Sequence, residues 1–388
     1  MIYFDNAATT FPKPASVYAE VERCIRSYCG NPGRGSHVLS RAAAEKIYEC
    51  REEAASFFGL DAPENVIFTL NTTTALNMAI KGLLHYGDHV LISDMEHNSV
   101  LRPIERLARD GQITYDVFST FCGDSEMPTA SMICSEIERR IRPQTRAVIC
   151  AHASNICSAA LPLAEIGKFC HARGLFLVVD GAQSAGILPI NMASMHIDVL
   201  CLPGHKALYG VQGSGLLLLA PGITLDTLTE GGNGVNSLDA AMPEYAPERY
   251  ESGTLPTPAI AGLCEGIRFV RRIGLDAIET HETKLFRRMR ELLLNTQGVK
   301  VYAPQFVGST LLFSVDEMPS DAVGRALDAR GFCVRCGFHC SALGHRTLGT
   351  PDSGAVRVSF GYFNRPTDVE LFHCTLRKIL RETHTADK

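Results

Sequence analysis

The chain has 388 residues and a net charge of −5, from 37 Lys and Arg against 42 Asp and Glu. No block of like charge stands out, so neither a nucleic-acid surface nor a polybasic membrane patch is indicated. Hydrophobic residues make up 46% and charged residues 20%, which suits a large core and argues against a long disordered tail; the length suggests two to three domains, with two favoured.

The opening stretch MIYFDNAATT has neither a basic n-region nor an apolar h-region. The longest apolar runs, such as 216–220, are too short to span a bilayer. The 14 cysteines are scattered, mostly in apolar stretches such as those of Cys150, Cys201 and Cys264. A disulfide scaffold would be smaller and denser in Cys, so a reducing, cytoplasmic setting is expected.

Residues 16–28 set Val17, Val21, Cys24, Ile25 and Tyr28 at helical spacing, and 39–58 form a longer amphipathic helix stopped by Gly59. Residues 65–69 read as a strand, with a helix following from about Thr73. The runs 89–93, 146–151, 175–180 and 198–202 are short, apolar and rich in β-branched residues. Helical segments such as 164–172 separate several of them. This alternation predicts βαβ units and a mostly parallel, buried sheet. A glycine turn at Gly210, Gly213 and Gly215 leads into a further strand at 216–219. Its spacing does not match a dinucleotide loop. The Gly/Asn-rich stretch 230–237 is a loop.

Past about residue 255 the helices lengthen, to 259–273 and 275–295. A strand at 310–315, a helix at 321–330, strands near Cys333 and Val356, and a helix from Thr367 complete the chain. The expected division is a large α/β domain over 16–258 and a smaller α+β domain built from 1–15 and 259–388.

In such sheets ligands bind beyond the carboxyl ends of the strands. Polar residues gather there. Asn71, Thr72, Thr73 and Thr74 follow the first strand, and Asp94, Met95, Glu96 and His97 follow the next. His152, Ala153, Ser154 and Asn155 come after 146–151, and Asp180, Gly181, Ala182 and Gln183 come after 175–179. Pro203, Gly204, His205 and Lys206 follow 198–202. A lysine there can form a Schiff base, an aspartate can hold a pyridinium nitrogen, and a helix N-terminus can hold a phosphate. These are the fittings for pyridoxal 5'-phosphate (PLP).

With Arg335, Cys336, Gly337, Phe338, His339 and Cys340 added, the set resembles the cysteine desulfurases of the class V aminotransferase fold, closer to the R-x-G-x-H-C group that includes selenocysteine lyases. The resemblance runs from residues 3–8 to 357–364. It implies a fold type I PLP-dependent transferase, with a mostly parallel seven-stranded sheet in the larger domain and a homodimeric assembly.

The resemblance assigns Lys206 as the lysine that bonds the cofactor aldehyde and Asp180 as the partner of the pyridine nitrogen. Gln183 would bond the phenolic oxygen, and His97 would stack on the ring and handle protons. Asn155 would meet the ring oxygen and the substrate carboxylate. Thr72, Thr73 and His205 would hold the phosphate, joined by Thr254 from a partner subunit. Arg357 would grip the substrate carboxylate, with Arg335 near it, and Cys340 would be the sulfur-accepting thiol. One departure stands out: Pro203 occupies a position where the family usually has a phosphate-binding serine.

The implied reaction turns L-cysteine into L-alanine, leaving a persulfide on Cys340 for an acceptor protein or thiol. The alternatives are a selenocysteine lyase acting on L-selenocysteine and, from another class, a non-catalytic scaffold. A zinc site at Cys333, Cys336, His339 and Cys340 is disfavoured because no second pair follows at finger spacing, so no metal is expected. A redox pair of Cys336 and Cys340 is a secondary reading. The segment 230–249 is short beside that of longer family members, which would leave a persulfide more exposed.

Overall fold

The computed structural model describes residues 1–33, 35–121, 128–350 and 352–386. Elements follow in chain order as β1 (Ile2–Tyr3), α1 (Ala15–Ser27), α2 (Val38–Phe58), β2 (Val66–Thr69), α3 (Thr72–Leu83), β3 (His89–Ser93) and α4 (Asn98–Arg109). Next come β4 (Thr114–Phe118), α5 (Ala130–Glu138), β5 (Thr145–Ala151), α6 (Leu163–His171), β6 (Phe176–Asp180), β7 (Val199–Pro203) and β8 (Gly215–Leu219). The rest is α7 (Thr257–Ile273), α8 (Leu275–Leu294), β9 (Val299–Tyr302), β10 (Thr310–Val315), α9 (Ser320–Asp328) and β11 (Phe332–Cys333). The last elements are β12 (Arg335–Gly337), α10 (Ala342–Leu348), β13 (Ala355–Ser359) and α11 (Pro366–Ala386).

Seven strands form one sheet in the order β2-β8-β7-β6-β5-β3-β4. Strand β8 runs against both of its neighbours, and the other pairings are parallel. The mostly parallel sheet expected from the sequence is therefore present. Alternate side chains leave the two faces. Leu91, Val148, Leu177, Val179, Leu200 and Leu216 pack with α2, α5, α6 and α7 on one side. Val90, Ile92, Ile149, Val178, Val199 and Leu217 pack with α3 and α4 on the other. Cover on both faces explains why these strands read as unbroken apolar runs.

A second sheet is antiparallel, in the order β12-β13-β10-β9. Phe313, Val356 and Val358 from it share a core with α8, α9 and α11. The N-terminal strand joins this region: β1 pairs with β11, and the Ser359 amide donates to the Phe4 carbonyl at 2.7 Å. Phe4 meets Phe360 and Phe372 edge-on at 5.5 and 5.7 Å. Ser158, in the loop after β5, ties the two sheets: its hydroxyl donates to the Thr310 carbonyl at 2.7 Å and accepts from the Thr310 amide at 2.8 Å.

Several elements were not read from the sequence. Strand β4 lies at the sheet edge and is mostly part-exposed, so its apolar signal is weak. Helix α4 carries Pro103 in its interior, which argues against a helix on sequence grounds. Among the described residues, no helix is long and apolar enough to cross a membrane.

Candidate active site

Strands β2, β3, β5, β6 and β7 all end on the same edge, so their following residues converge. One cavity there is lined by Thr72, Thr73, His97, Asn155, Asp180, Gln183, Pro203, His205 and Lys206. Residues more than 130 positions apart in the chain thus come together, as the motif order implied.

Its floor is a helix start. Asn71 caps α3 through its side chain, which accepts from the Thr74 amide at 3.0 Å. The Thr72 and Thr73 amides have no acceptor among the described residues. The buried Thr72 hydroxyl is also unpartnered. Such a helix end, with open donors and a favourable dipole, is suited to an anion.

His97 caps α4 with its ring. The Ser99 amide donates to Nδ1 at 3.1 Å, so the neutral ring carries its proton on Nε2. The Ser99 hydroxyl lies 2.6 Å from the same nitrogen and 3.0 Å from the Thr73 hydroxyl. Burial, then the cations Lys206 and Arg357, lower the His97 pKa to about 4. Ser99 was not picked out in the sequence; its place in the first turn of α4, facing Thr73 on α3, depends on how the helices pack.

Asp180 ends β6 with 3% exposure, and its carboxylate accepts from the Ala182 amide at 2.9 Å. Burial pushes its pKa up, against that bond and the charge of Lys206. Burial pulls Lys206 down to about 8, opposed by Asp180 and aided by Arg357 and Arg335. His205 is lowered to about 4 by burial and the neighbouring Lys206 and Lys13. Its carbonyl accepts from Lys13 Nζ at 2.6 Å. Gln183 reaches back to the N-terminal segment, donating to the Ala7 carbonyl at 3.1 Å.

Behind this cavity Glu96 is fully buried. It accepts from the Ala151 amide at 2.8 Å and from the Ser93 hydroxyl, which joins the ends of β3 and β5. Burial raises its pKa to about 8, leaving it protonated near neutrality.

The two arginines stand opposite each other on β12 and β13. Arg357 is 3% exposed; it donates to Asp5 at 2.8 Å and to the Asn155 carbonyl at 3.1 Å. Its buried Nε has no partner. Arg335 is about half exposed and meets Asp5 only at 3.5 Å. Asp5, whose role the sequence did not reveal, therefore faces both guanidinium groups.

Cys340 is exposed and sits beside the cavity, on a groove shared with Thr73, His97 and Ser99. Its backbone and that of His339 have φ of 55° and 51°, a left-handed pair rare outside glycine. The turn is held from outside. The Asn98 amide donates to the Cys340 carbonyl at 2.7 Å, and Asn155 Nδ2 donates to the His339 carbonyl at 2.8 Å. Asn155 thus spends its amide on this loop while its side chain lines the cavity.

Thr254 lies outside the Lys206 cavity. It lines a separate, larger groove with Asn31, whose amide donates to the Thr254 hydroxyl at 3.4 Å. Of the four residues weighed as a zinc set, His339 has both ring nitrogens engaged, at 3.1 Å each, with His345 and the Arg335 carbonyl. Cys333 belongs to β11 and Cys336 to β12.

Comparison with known proteins accords with this geometry. The family described as Aminotransferase class-V matches residues 2–372. A probable cysteine desulfurase of Methanothermobacter thermautotrophicus is 31% identical, over 97% of this chain and 94% of that protein. One of Pyrococcus abyssi is 30% identical, over 100% and 96%. The apo structure of a cysteine desulfurase from Thermococcus onnurineus NA1 superposes with a TM-score of 0.89 at 31% identity, covering 98% of this chain and 95% of that one. With the strand-end cavity and the sheet order in place, the match across nearly the whole length shows that the chain belongs to the class V aminotransferase family.

Proposed function

We propose that the chain is a PLP-dependent cysteine desulfurase, converting L-cysteine to L-alanine and holding the sulfur as a persulfide on Cys340. The observation that carries this reading is one strand-end cavity uniting the half-buried Lys206, the buried Asp180 carboxylate and the open N-terminus of α3, with the Cys340 loop at its rim. The relatives reported above are named cysteine desulfurase or probable cysteine desulfurase, so a selenocysteine lyase is not favoured.

The donor set fits the cofactor. The unpartnered Thr72 hydroxyl and the Thr72 and Thr73 amides suit its phosphate, with His205 beside them. Asp180 offers a buried carboxylate for a pyridinium N–H, Gln183 an amide for the phenolic oxygen, and His97 a ring for the cofactor face. When bound, PLP supplies the electron sink that loosens bonds at the substrate Cα and Cβ.

The chain's own residues do the rest. A Lys206 pKa near 8 leaves part of the amine neutral at neutral pH, able to act as a nucleophile and to take a proton from the substrate Cα. Arg357 holds the substrate carboxylate, with Asp5 and the Asn155 carbonyl fixing its plane. Cys340 Sγ attacks the substrate sulfur. The S–S bond forms as Cβ–Sγ breaks; the electron pair stays on Cβ, which takes the proton the thiol gave up, and alanine leaves. Thr254 serves the phosphate of a partner subunit, so the working unit is a homodimer. The setting is cytoplasmic, in keeping with 13 free thiols among the described residues.

The test is a visible spectrum of the purified protein followed by alanine release from cysteine. Lys206→Ala should abolish the cofactor band. Cys340→Ser should keep the band and form no persulfide. A preparation that stays colourless after reconstitution with PLP would refute the reading.

A further inference from the structure

Outside the Lys206 cavity, a groove of about 370 Å³ runs from Cys340 between α3 and α4. One wall carries Lys81, and the other carries Arg102 and Arg106 one turn apart. No acidic residue lines it. Among the described residues Lys81 and Arg102 form no ion pair, while Arg106 is held by Asp110 at 2.5 Å. A chain of net charge −5 thus keeps a row of cations leading away from its exposed thiol.

The distances define the occupant. Cys340 is pinned to the start of α4, since its carbonyl accepts from the Asn98 amide at 2.7 Å. Along that helix Arg102 lies about 6 Å and Arg106 about 12 Å further on, at 1.5 Å per residue. A small thiol reaching Cys340 does not extend to Arg106. An extended polypeptide does, covering those spans with about two and four residues. No Phe, Tyr or Trp lines the groove to stack bases, which disfavours a single-stranded nucleic acid.

We propose that this groove docks an acidic, extended segment of a thiol-bearing acceptor polypeptide, with its carboxylates about two and four residues from the acceptor cysteine. The proposal rests on the desulfurase reading. The acceptor thiolate attacks the outer sulfur of the Cys340 persulfide. That S–S bond breaks, its electron pair leaves on Cys340 Sγ as the thiolate, and the acceptor carries the new persulfide. The cations steer and register the acceptor, which acts mainly on its rate of arrival.

The experiment uses holoenzyme loaded with labelled sulfur from cysteine. Two nonapeptides with a central cysteine serve as probes, one with glutamates two and four residues to either side and one with glutamines there. The acidic peptide should take the label about tenfold faster at low salt and lose that advantage near 1 M salt, where the screening length is about 3 Å. The Lys81→Glu/Arg102→Glu variant should abolish the preference while alanine release with dithiothreitol stays within about twofold. Equal rates for the two peptides on loaded wild-type enzyme overturn the groove assignment. A preference for the glutamine peptide, or capture of the groove by an oligoribonucleotide with no difference between peptides, does the same. Absence of label on Cys340 before any peptide is added refutes the desulfurase reading itself, and with it this one.

Discussion

His345 Nε2 lies 3.1 Å from His339 Nδ1, and the two rings stack at 5.3 Å between centroids. The far nitrogen of His345 meets the Thr350 hydroxyl at 2.8 Å, and the far nitrogen of His339 meets the Arg335 carbonyl at 3.1 Å. The Arg335 carbonyl can only accept, so His339 carries its proton on Nε2 and takes the His345 proton at Nδ1. Burial keeps both neutral, with pKa values lowered to about 3 and about 4. The chain fixes the ring of a residue whose own backbone is left-handed, and with it the neighbouring Cys340.

His345→Ala removes the donor and leaves a buried nitrogen unpaired, at a cost of about 1–3 kcal/mol. Persulfide formation on Cys340 in a single turnover should slow about tenfold. The cofactor band should not move, because His345 does not line the Lys206 cavity. His345→Gln, which restores an N–H donor, should recover most of the rate. A His345→Ala protein that forms persulfide at the wild-type rate would remove the role given to the pair.

The Ser99 hydroxyl fixes two groups of the cofactor cavity: it gives its proton to His97 Nδ1 and accepts from the Thr73 hydroxyl. The His97 ring is thereby held for the cofactor ring, and Thr73 for the phosphate, which Pro203 leaves without a hydroxyl donor. Ser99 and Pro203 both line the cavity, and the Ser99 hydroxyl is within 3.0 Å of Thr73. Ser99→Ala should weaken PLP retention about tenfold, the worth of one such bond at about 1.4 kcal/mol. Adding Pro203→Ser should win most of it back. Equilibrium dialysis against PLP measures both, and an unaltered Ser99→Ala constant would count against the hydroxyl.

The ends of the five strands were readable because each buried strand is a short apolar run and its polar successor must lie on the carboxyl edge. That logic reached Thr72, His97, Asn155, Asp180 and Lys206, which the fold brings to one cavity. It could not reach Asp5, whose meaning comes from Arg357, 352 residues away. Nor could it reach His345, because nothing local to a seven-residue helix shows which ring it faces. Cysteine exposure is also a tertiary fact. Cys29 and Cys374 are exposed like Cys340, and the left-handed turn, its anchors and the adjoining groove set Cys340 apart. Helix α4 was hidden because a histidine ring, rather than the usual Ser, Thr, Asp or Asn, caps it.

Glu96 ties stability to pH. Its folded pKa of about 8 lies above the ordinary 4.5, so the folded state binds the proton more tightly. The stabilisation is full below about 4.5 and is lost as pH rises through about 8. Glu96→Gln keeps the shape and removes the titration. Between pH 5 and 8 the wild type should lose about 3 °C or more of melting temperature relative to the variant. Parallel melting profiles for the two proteins would show that Glu96 does not titrate in this range.

Two glycines one turn apart on α7 should behave differently. A Cβ on Gly266 would lie 2.1 Å from the Leu208 carbonyl oxygen and 2.9 Å from the Gly210 amide. Both belong to the loop after Lys206, which is closed by the Tyr209 amide donating to the Lys206 carbonyl and the Gly210 amide to the Gly204 carbonyl, each at 2.8 Å. Backbone cannot yield there without moving Lys206. Gly266→Ala should therefore cost about 2–3 kcal/mol and lower the PLP bound per chain. At Gly262 the new Cβ meets a methyl of Val21 at 2.7 Å, a part-exposed side chain on an open groove, so relief comes from a small shift of α1 and leaves the lysine loop untouched. The helix also gains about 1 kcal/mol from replacing glycine by alanine. Gly262→Ala should accordingly stay within about 1 kcal/mol of wild type and bind a full complement of cofactor. Denaturant unfolding and PLP stoichiometry on both variants measure the contrast, and equal behaviour would mean that α7 does not brace the lysine loop.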